Sequence, residues 1–217
     1  MAQFPDTLII EDIVTDHPLT ELMTKKASSR PRKTSPINVA GKNIELLHSG
    51  LPPQLKLPEE KIWTLDRIAD DSWILNPSQS RSELSPKIPE GKLSFVVSHN
   101  DPENILCFEH SAVMEDKHLR ERVAGCINYG HSSLANKYDS IVEVFKNRNN
   151  FEDTAHPVIL AGSLSFPNED NPLIGGGTML SWSRESGHYL PSYENAIYNR
   201  IGEVEKILPI DLYKEIF

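Results

Sequence analysis

The chain has 217 residues, of which 38% are hydrophobic and 24% charged, and its formal net charge is −9. That length fits one globular domain with tails or two small domains, and the acidic balance argues against a nucleic-acid-binding surface, which concentrates positive charge. Two cysteines, Cys107 and Cys126, are too few for a disulfide framework and read as small apolar fillers in a reducing compartment.

No apolar run approaches the roughly 18 residues of a membrane span, and the N-terminus lacks the basic-then-apolar layout of a signal peptide. The expectation is a soluble protein without a membrane partner, cytoplasmic or delivered into a host cell without a cleaved signal peptide.

Residues 1–40 read as a disordered leader. After "TLIIEDIV", the stretch Lys25 to Pro36 mixes basic residues, serines and prolines with no apolar period, too little apolar surface to offset the entropy of ordering it. Residues 41–217 are expected to form a single domain. From Asn38 to Gly91 the chain is dense in proline and short on periodicity. There "KIWTLDRI" and "DSWILNP" each set a tryptophan among aliphatic neighbours, as short packed elements do.

"KLSFVVSHN" (Lys92 to Asn100) and "NILCFEH" (Asn104 to His110) predict two strands of a hairpin or meander. "MEDKHLRERVAGCI" spaces Leu119, Val123 and Ile127 as a helix that breaks near Gly125. Over residues 134–145, Leu134, Tyr138, Ile141, Val142 and Phe145 share one helical face, and the length of the span favours helix over strand. "PVILAGSLSFPN" and "TMLSWSRES" predict a strand pair joined by a proline- and glycine-rich connection. Ser192 is a good N-cap, Glu194 suits the first turn, and Tyr193, Ala196, Ile197, Ile201, Val204, Ile207 and Leu208 continue one helix until Pro209. A last turn, "IDLYKEIF", is expected to dock on the core. The fold class that follows is α+β: a small mixed or antiparallel sheet with flanking helices.

The chain has no Walker-type phosphate loop, no GxGxxG, no HExxH and no paired CxxC. Its eight histidines include no i,i+4 pair beside a carboxylate, so no metal site is indicated. "IGGGT" (Ile174 to Thr178) lies between two strand signals and reads as a tight connection. Two polar clusters remain: "YGHSSLA" (Tyr129 to Ala135) and "SGHYLPSYEN" (Ser186 to Asn195).

Gly130 and Gly187 allow close backbone approach or positive φ, and His131, Ser132 and Ser133 offer donors and acceptors for a ribose or a phosphate. His188 and Tyr189 precede a capped helix whose positive end favours an anion. The competing reading of both clusters is structural. A histidine at a strand end is commonly a satisfied hydrogen-bonding residue, and Ser-Gly before it forms a turn.

In order, "HSSL", "LAGSLSF" and "TMLSWSRESGHYLPSYEN" resemble a module of plant IQ-motif calmodulin-binding proteins, in the region after the IQ motif. The same module is found in C-terminal domains of bacterial polymorphic toxins and injected effectors. The resemblance spans residues 131–217 and rests on His131 to Leu134, Ala161 and Gly162, and Ser186 to Pro191, with Glu194 and Asn195 continuing it. The chain departs from the pattern at Ser163, where the family carries a charged residue. It also departs in the long insertion between "HSSL" and "LAGSL" and in lacking an IQ motif.

The order of these elements is similar to that of mono-ADP-ribosyltransferases, which implies NAD as a substrate. By that likeness His131, Ser132 and Ser133 would bind the ribose, and Tyr189 would stack on nicotinamide. His188, Tyr189 and Glu194 would form the catalytic set, with Glu194 stabilising the developing oxocarbenium-like charge. Glu185, and the "EHS" run from Glu109 to Ser111, are rivals for the carboxylate and the histidine. The function implied is an effector- or toxin-like ADP-ribosyltransferase acting on a protein target. The alternative is a non-catalytic protein-binding module in which SGHYLP is a structural network. A hydrolase built on Ser132 or Ser133 lacks the strand-turn-helix setting of a nucleophile and ranks below both.

Overall fold

The computed structural model describes residues 34–50, 54, 56–78, 84–109, 129–136, 155–168 and 177–215. Apolar segments with tight polar turns between them make hairpins. Strands β1 (Thr34–Val39) and β2 (Lys42–Leu47) turn at Ala40 and Gly41, with φ of 50° and 82°. This is the mirror-type two-residue turn whose twist matches a hairpin.

Strands β3 (Trp63–Ala69) and β4 (Ser72–Pro77) form a second hairpin, and β5 (Lys92–Ser98) and β6 (Asp101–Glu109) a third. Strands β7 (Val158–Ser165) and β8 (Ser181–Ser183) follow. All strand pairs are antiparallel, in the order β1-β2-β7-β5-β6-β3-β4, with β8 also on β7. Helices α1 (Tyr193–Tyr198) and α2 (Glu203–Ile207) close the chain, with short 3-10 turns at Glu59–Lys61, His131–Leu134 and Ile210–Leu212.

The central strands read as unbroken apolar runs because both faces of the sheet are covered. Leu93, Phe95 and Val97 of β5, with Ile105 and Cys107 of β6, face a large core completed by Ala196, Ile201, Val204, Ile207 and Leu208. The alternate residues Val96 and Phe108 belong to a second cluster with Leu47, Leu57, Leu134, Ala135, Ala161 and Tyr189. That period of two is the strand's own geometry. Fully burying each Phe, Leu or Val contributes roughly 1.5–3 kcal/mol, so the hydrophobic drive is shared between a helix-covered face and a face covered by the HSSL turn and Tyr189.

The end of α2 shows how side chains complete the backbone. The carbonyls of Ile207, Leu208 and Pro209 accept, in turn, from Trp73 Nε1 at 2.9 Å, Arg200 Nη1 at 2.5 Å and Trp182 Nε1 at 2.7 Å. A helix C-terminus leaves such carbonyls without partners, and here two buried indoles and a guanidinium tie it to the sheet. The terminal turn then docks: Tyr213 stacks edge-on against Trp182 at 4.8 Å, and Lys214 N donates to Trp182 O at 2.8 Å.

Three expectations are corrected. The fold is not α+β with flanking helices: the described chain is mostly an antiparallel sheet of eight strands with two short α-helices. The single helix expected from Ser192 to Leu208 is split, because Gly202 takes φ +56° at the head of α2 and ends any continuous ladder. The sheet also begins inside the segment assigned to the leader, since β1 starts at Thr34. The helix expected at 114–127 lies outside the described residues, as does the one expected at 134–145 from residue 137 onward; of its first residues, Leu134 ends a 3-10 turn and Asn136 bridges to Ala155.

Candidate functional site

The polar residues singled out in the sequence lie on and around the second face of the sheet, and the fold brings several of them together. Residues His131 to Leu134 form a buried 3-10 turn. The carbonyl of Gly162, in the middle of β7, can only accept, so His131 donates from Nε2, at 2.7 Å. Ser132 Oγ donates to Gln54 Oε1 at 2.6 Å, and Ser133 Oγ accepts from Gly130 N at 3.1 Å. Leu57 N in turn donates to Ser133 O at 3.2 Å. His131, Ser132 and Ser133 are all buried, so the three side chains proposed for a ribose are directed at protein atoms.

The two motif glycines on this side are explained by close approach. A Cβ on Gly130 would sit 2.5 Å from Gln54 Nε2, and one on Gly162 would sit 1.9 Å from Ser183 O and 2.8 Å from the Phe95 ring. What approaches these backbones is the protein itself. Gly187 has nothing within 4 Å of such a Cβ.

The SGHYLP segment closes the same face. Tyr189 is buried, and its hydroxyl donates to His156 O at 3.1 Å, while His156 N donates to Ala135 O at 2.7 Å at the end of the HSSL turn. Burial alone pushes the Tyr189 phenol well above its ordinary range. His188 is half-buried, and its carbonyl accepts from Gly50 N at 2.9 Å.

Ser186 O accepts from Leu190 N at 2.9 Å, closing a turn that holds Leu190 at φ +43°. A left-handed backbone costs a non-glycine residue about 1–2 kcal/mol. Leu190 is nevertheless 37% exposed. Pro191 O accepts from Arg184 Nη1 at 2.7 Å, and the same guanidinium grips Glu215 from Nε at 2.7 Å, which holds the Glu215 carboxyl below its usual range. Tyr213, also bonded to Glu215, is raised to about 12, by burial first and by that hydrogen bond second.

Glu194 is exposed in the first turn of α1. Glu185 is exposed and pairs with Lys92 at 2.7 Å, a surface pair of the kind worth about 0–1 kcal/mol. Glu109 pairs with Lys87, and His110 and Ser111 lie outside the described residues. Ser163 is buried. Cys107 is fully buried, and burial pushes its thiol far up, which suppresses any thiolate nucleophile there. Among the described residues no three His, Cys, Asp or Glu side chains converge as a metal site would require, and no helix is long and apolar enough to cross a membrane.

Two residues that the sequence did not mark are central to the geometry. Strands β2 and β7 pair only at Leu47↔Val158, and a register shift between Val97 and Ser98 leaves Ile159 as an extra residue opposite β5. Such a bulge leaves backbone groups without ladder partners. Asn199, 2% exposed, enters the fork, and its Nδ2 donates to Glu45 O and to Ile159 O, each at 2.7 Å. Asn195 Nδ2 donates to the Glu45 carboxylate at 3.0 Å, while Asn195 and Ser192 cap each other's backbone. Gln54, in an irregular stretch, is the second. The spacing of Asn195 and Asn199, one helical turn apart on the buried side of an amphipathic pattern, was the available signal for the first. Nothing local signals Gln54.

The arrangement is a continuous hydrogen-bonded scaffold joining HSSL, the Ala-Gly of β7 and SGHYLP. No protein-family model, curated protein or solved structure matches this chain.

Proposed function

We propose that this is a non-catalytic protein-binding module in which the HSSL and SGHYLP segments are scaffold. The observation that carries the reading is that Ser132, Ser133 and Tyr189 each hold a hydroxyl bond to protein atoms while buried. A transferase would need Tyr189 to present its ring to nicotinamide and the serines to present hydroxyls to a ribose. Breaking these bonds without replacement strips buried groups at about 1–3 kcal/mol each.

The scaffold supports a surface suited to protein contact. Strained Leu190 is held outward, and Tyr193 and Tyr198 on α1 are 53% and 71% exposed. Tyrosine gives large, amphipathic contact area and is enriched at interfaces.

The test is incubation of the protein with labelled NAD and a eukaryotic cell lysate, beside a Glu194→Ala variant. The expected result is nicotinamide release and label transfer no higher than in buffer. Turnover by the parent that is lost in Glu194→Ala at an unchanged melting temperature would overturn the scaffold reading in favour of the NAD-consuming ADP-ribosyltransferase.

A further inference from the structure

The two ends of the sheet are finished differently. At β4, Leu75 exchanges both backbone bonds with Lys87, at 2.8 and 2.9 Å, and Trp73 N donates to Gly177 O at 2.8 Å, so the outer edge is capped. At β1 no described backbone group pairs with the outer edge.

Which groups point outward follows from the turn. In a two-residue hairpin the closing pair, here Val39↔Lys42, is hydrogen-bonded, and bonded and non-bonded pairs alternate away from it. Thr34, Pro36 and Asn38 therefore direct their backbone groups away from β2. The same alternation turns Glu45 O toward β7, where Asn199 meets it. Pro36, the middle of the three, has no N–H to offer.

This edge is self-complementary in length and spacing. Two β1 strands meeting antiparallel about a two-fold axis at Pro36 would set Thr34 opposite Asn38 of the second copy at both ends. The Asn38 side chain is folded back on its own hairpin, donating to Asn43 Oδ1 at 2.8 Å and accepting from Gly41 N at 3.2 Å, and leaves the backbone edge open. The central pair would place two prolines face to face, with no donor for either carbonyl and a ring where each hydrogen should be. Any other register that overlaps Pro36 also loses a bond. Natural sheets use proline on edges in this way. We propose that Pro36 is a block against pairing of β1 with β1 of a second copy, and that the sheet is otherwise ready to continue across a two-fold axis.

The test is the solution mass of the full chain, wild type and Pro36→Val, by sedimentation velocity over a concentration series. The wild type is expected at its monomer mass of 24.5 kDa, and Pro36→Val at twice that, with an unchanged circular dichroism spectrum. Adding Asn38→Pro to Pro36→Val restores a proline to the outward row and is expected to return the monomer. A Pro36→Val protein that stays monomeric throughout the series would overturn the proposal. So would a double variant that still associates, or a wild type already paired.

Discussion

Asn199 bridges two carbonyls that the sheet cannot satisfy, and three substitutions separate what its amide does. Asn199→Ala removes both bonds but leaves room for a water, which needs about 30 Å³ and two or more polar partners. Glu45 O and Ile159 O supply those partners, so the loss should be about 2 kcal/mol, two net hydrogen bonds' worth. Asn199→Leu fills the space and excludes water, stripping both carbonyls at about 1–3 kcal/mol each, for a total near 4 kcal/mol. Asn199→Asp sets an acceptor against two acceptors and should equal or exceed the leucine variant at neutral pH.

Its pH dependence has a definite sign. Burial against two carbonyl oxygens raises the folded-state pKa of the new carboxyl above the unfolded value of about 3.9. Stability is then fully present below that unfolded value and is lost as pH rises through the folded one. Trp63, Trp73 and Trp182 are all buried, so tryptophan fluorescence during urea unfolding reads the loss directly. Against a typical total of about 5–15 kcal/mol, the leucine variant removes a large share. A leucine variant as stable as alanine, or an aspartate variant indifferent to pH between 3 and 7, would refute the bridging role.

Two further outcomes test the close packing and the turn. Gly162→Ala would place a carbon 1.9 Å from the Ser183 carbonyl and is expected to cost more than about 3 kcal/mol or abolish soluble expression, read by the urea midpoint or the yield. Ala40→Asn, at φ 50° in the β1–β2 turn, should raise stability by up to about 1 kcal/mol, measured as a rise in melting temperature, because asparagine tolerates the left-handed region far better than alanine.

The sequence disclosed the central strands more readily than the edges. "SFVV" and "VILAGSLS" are long apolar runs because β5 and β7 are buried on both faces, and such runs announce themselves. The β1–β2 hairpin did not. Its Ile37–Val39 and Ile44–Leu46 alternation is short, its turn is Ala-Gly in place of Asn-Gly, and it follows a basic, proline-bearing stretch that dominates composition. The last helix was legible in its amphipathic face but not in its break at Gly202, whose φ of +56° suits glycine, nor in its end at Ile207 to Pro209, where side chains of Trp73, Arg200 and Trp182 bond the last carbonyls.

At the site, the sequence marks His131, Ser132 and Ser133 by their donors and acceptors alone. Their partners were beyond local reading, because His131 meets Gly162 across 31 positions and Ser132 meets Gln54 across 78.

The central claim is that the motif residues hold the sheet together, and His131 tests it most directly. The decisive measurement is the unfolding free energy of His131→Ala beside wild type. A buried donor to the Gly162 carbonyl, removed, should lower it by about 2–4 kcal/mol. An unfolding free energy unchanged or raised by the substitution would contradict the scaffold and return His131 to the candidates for binding a ligand.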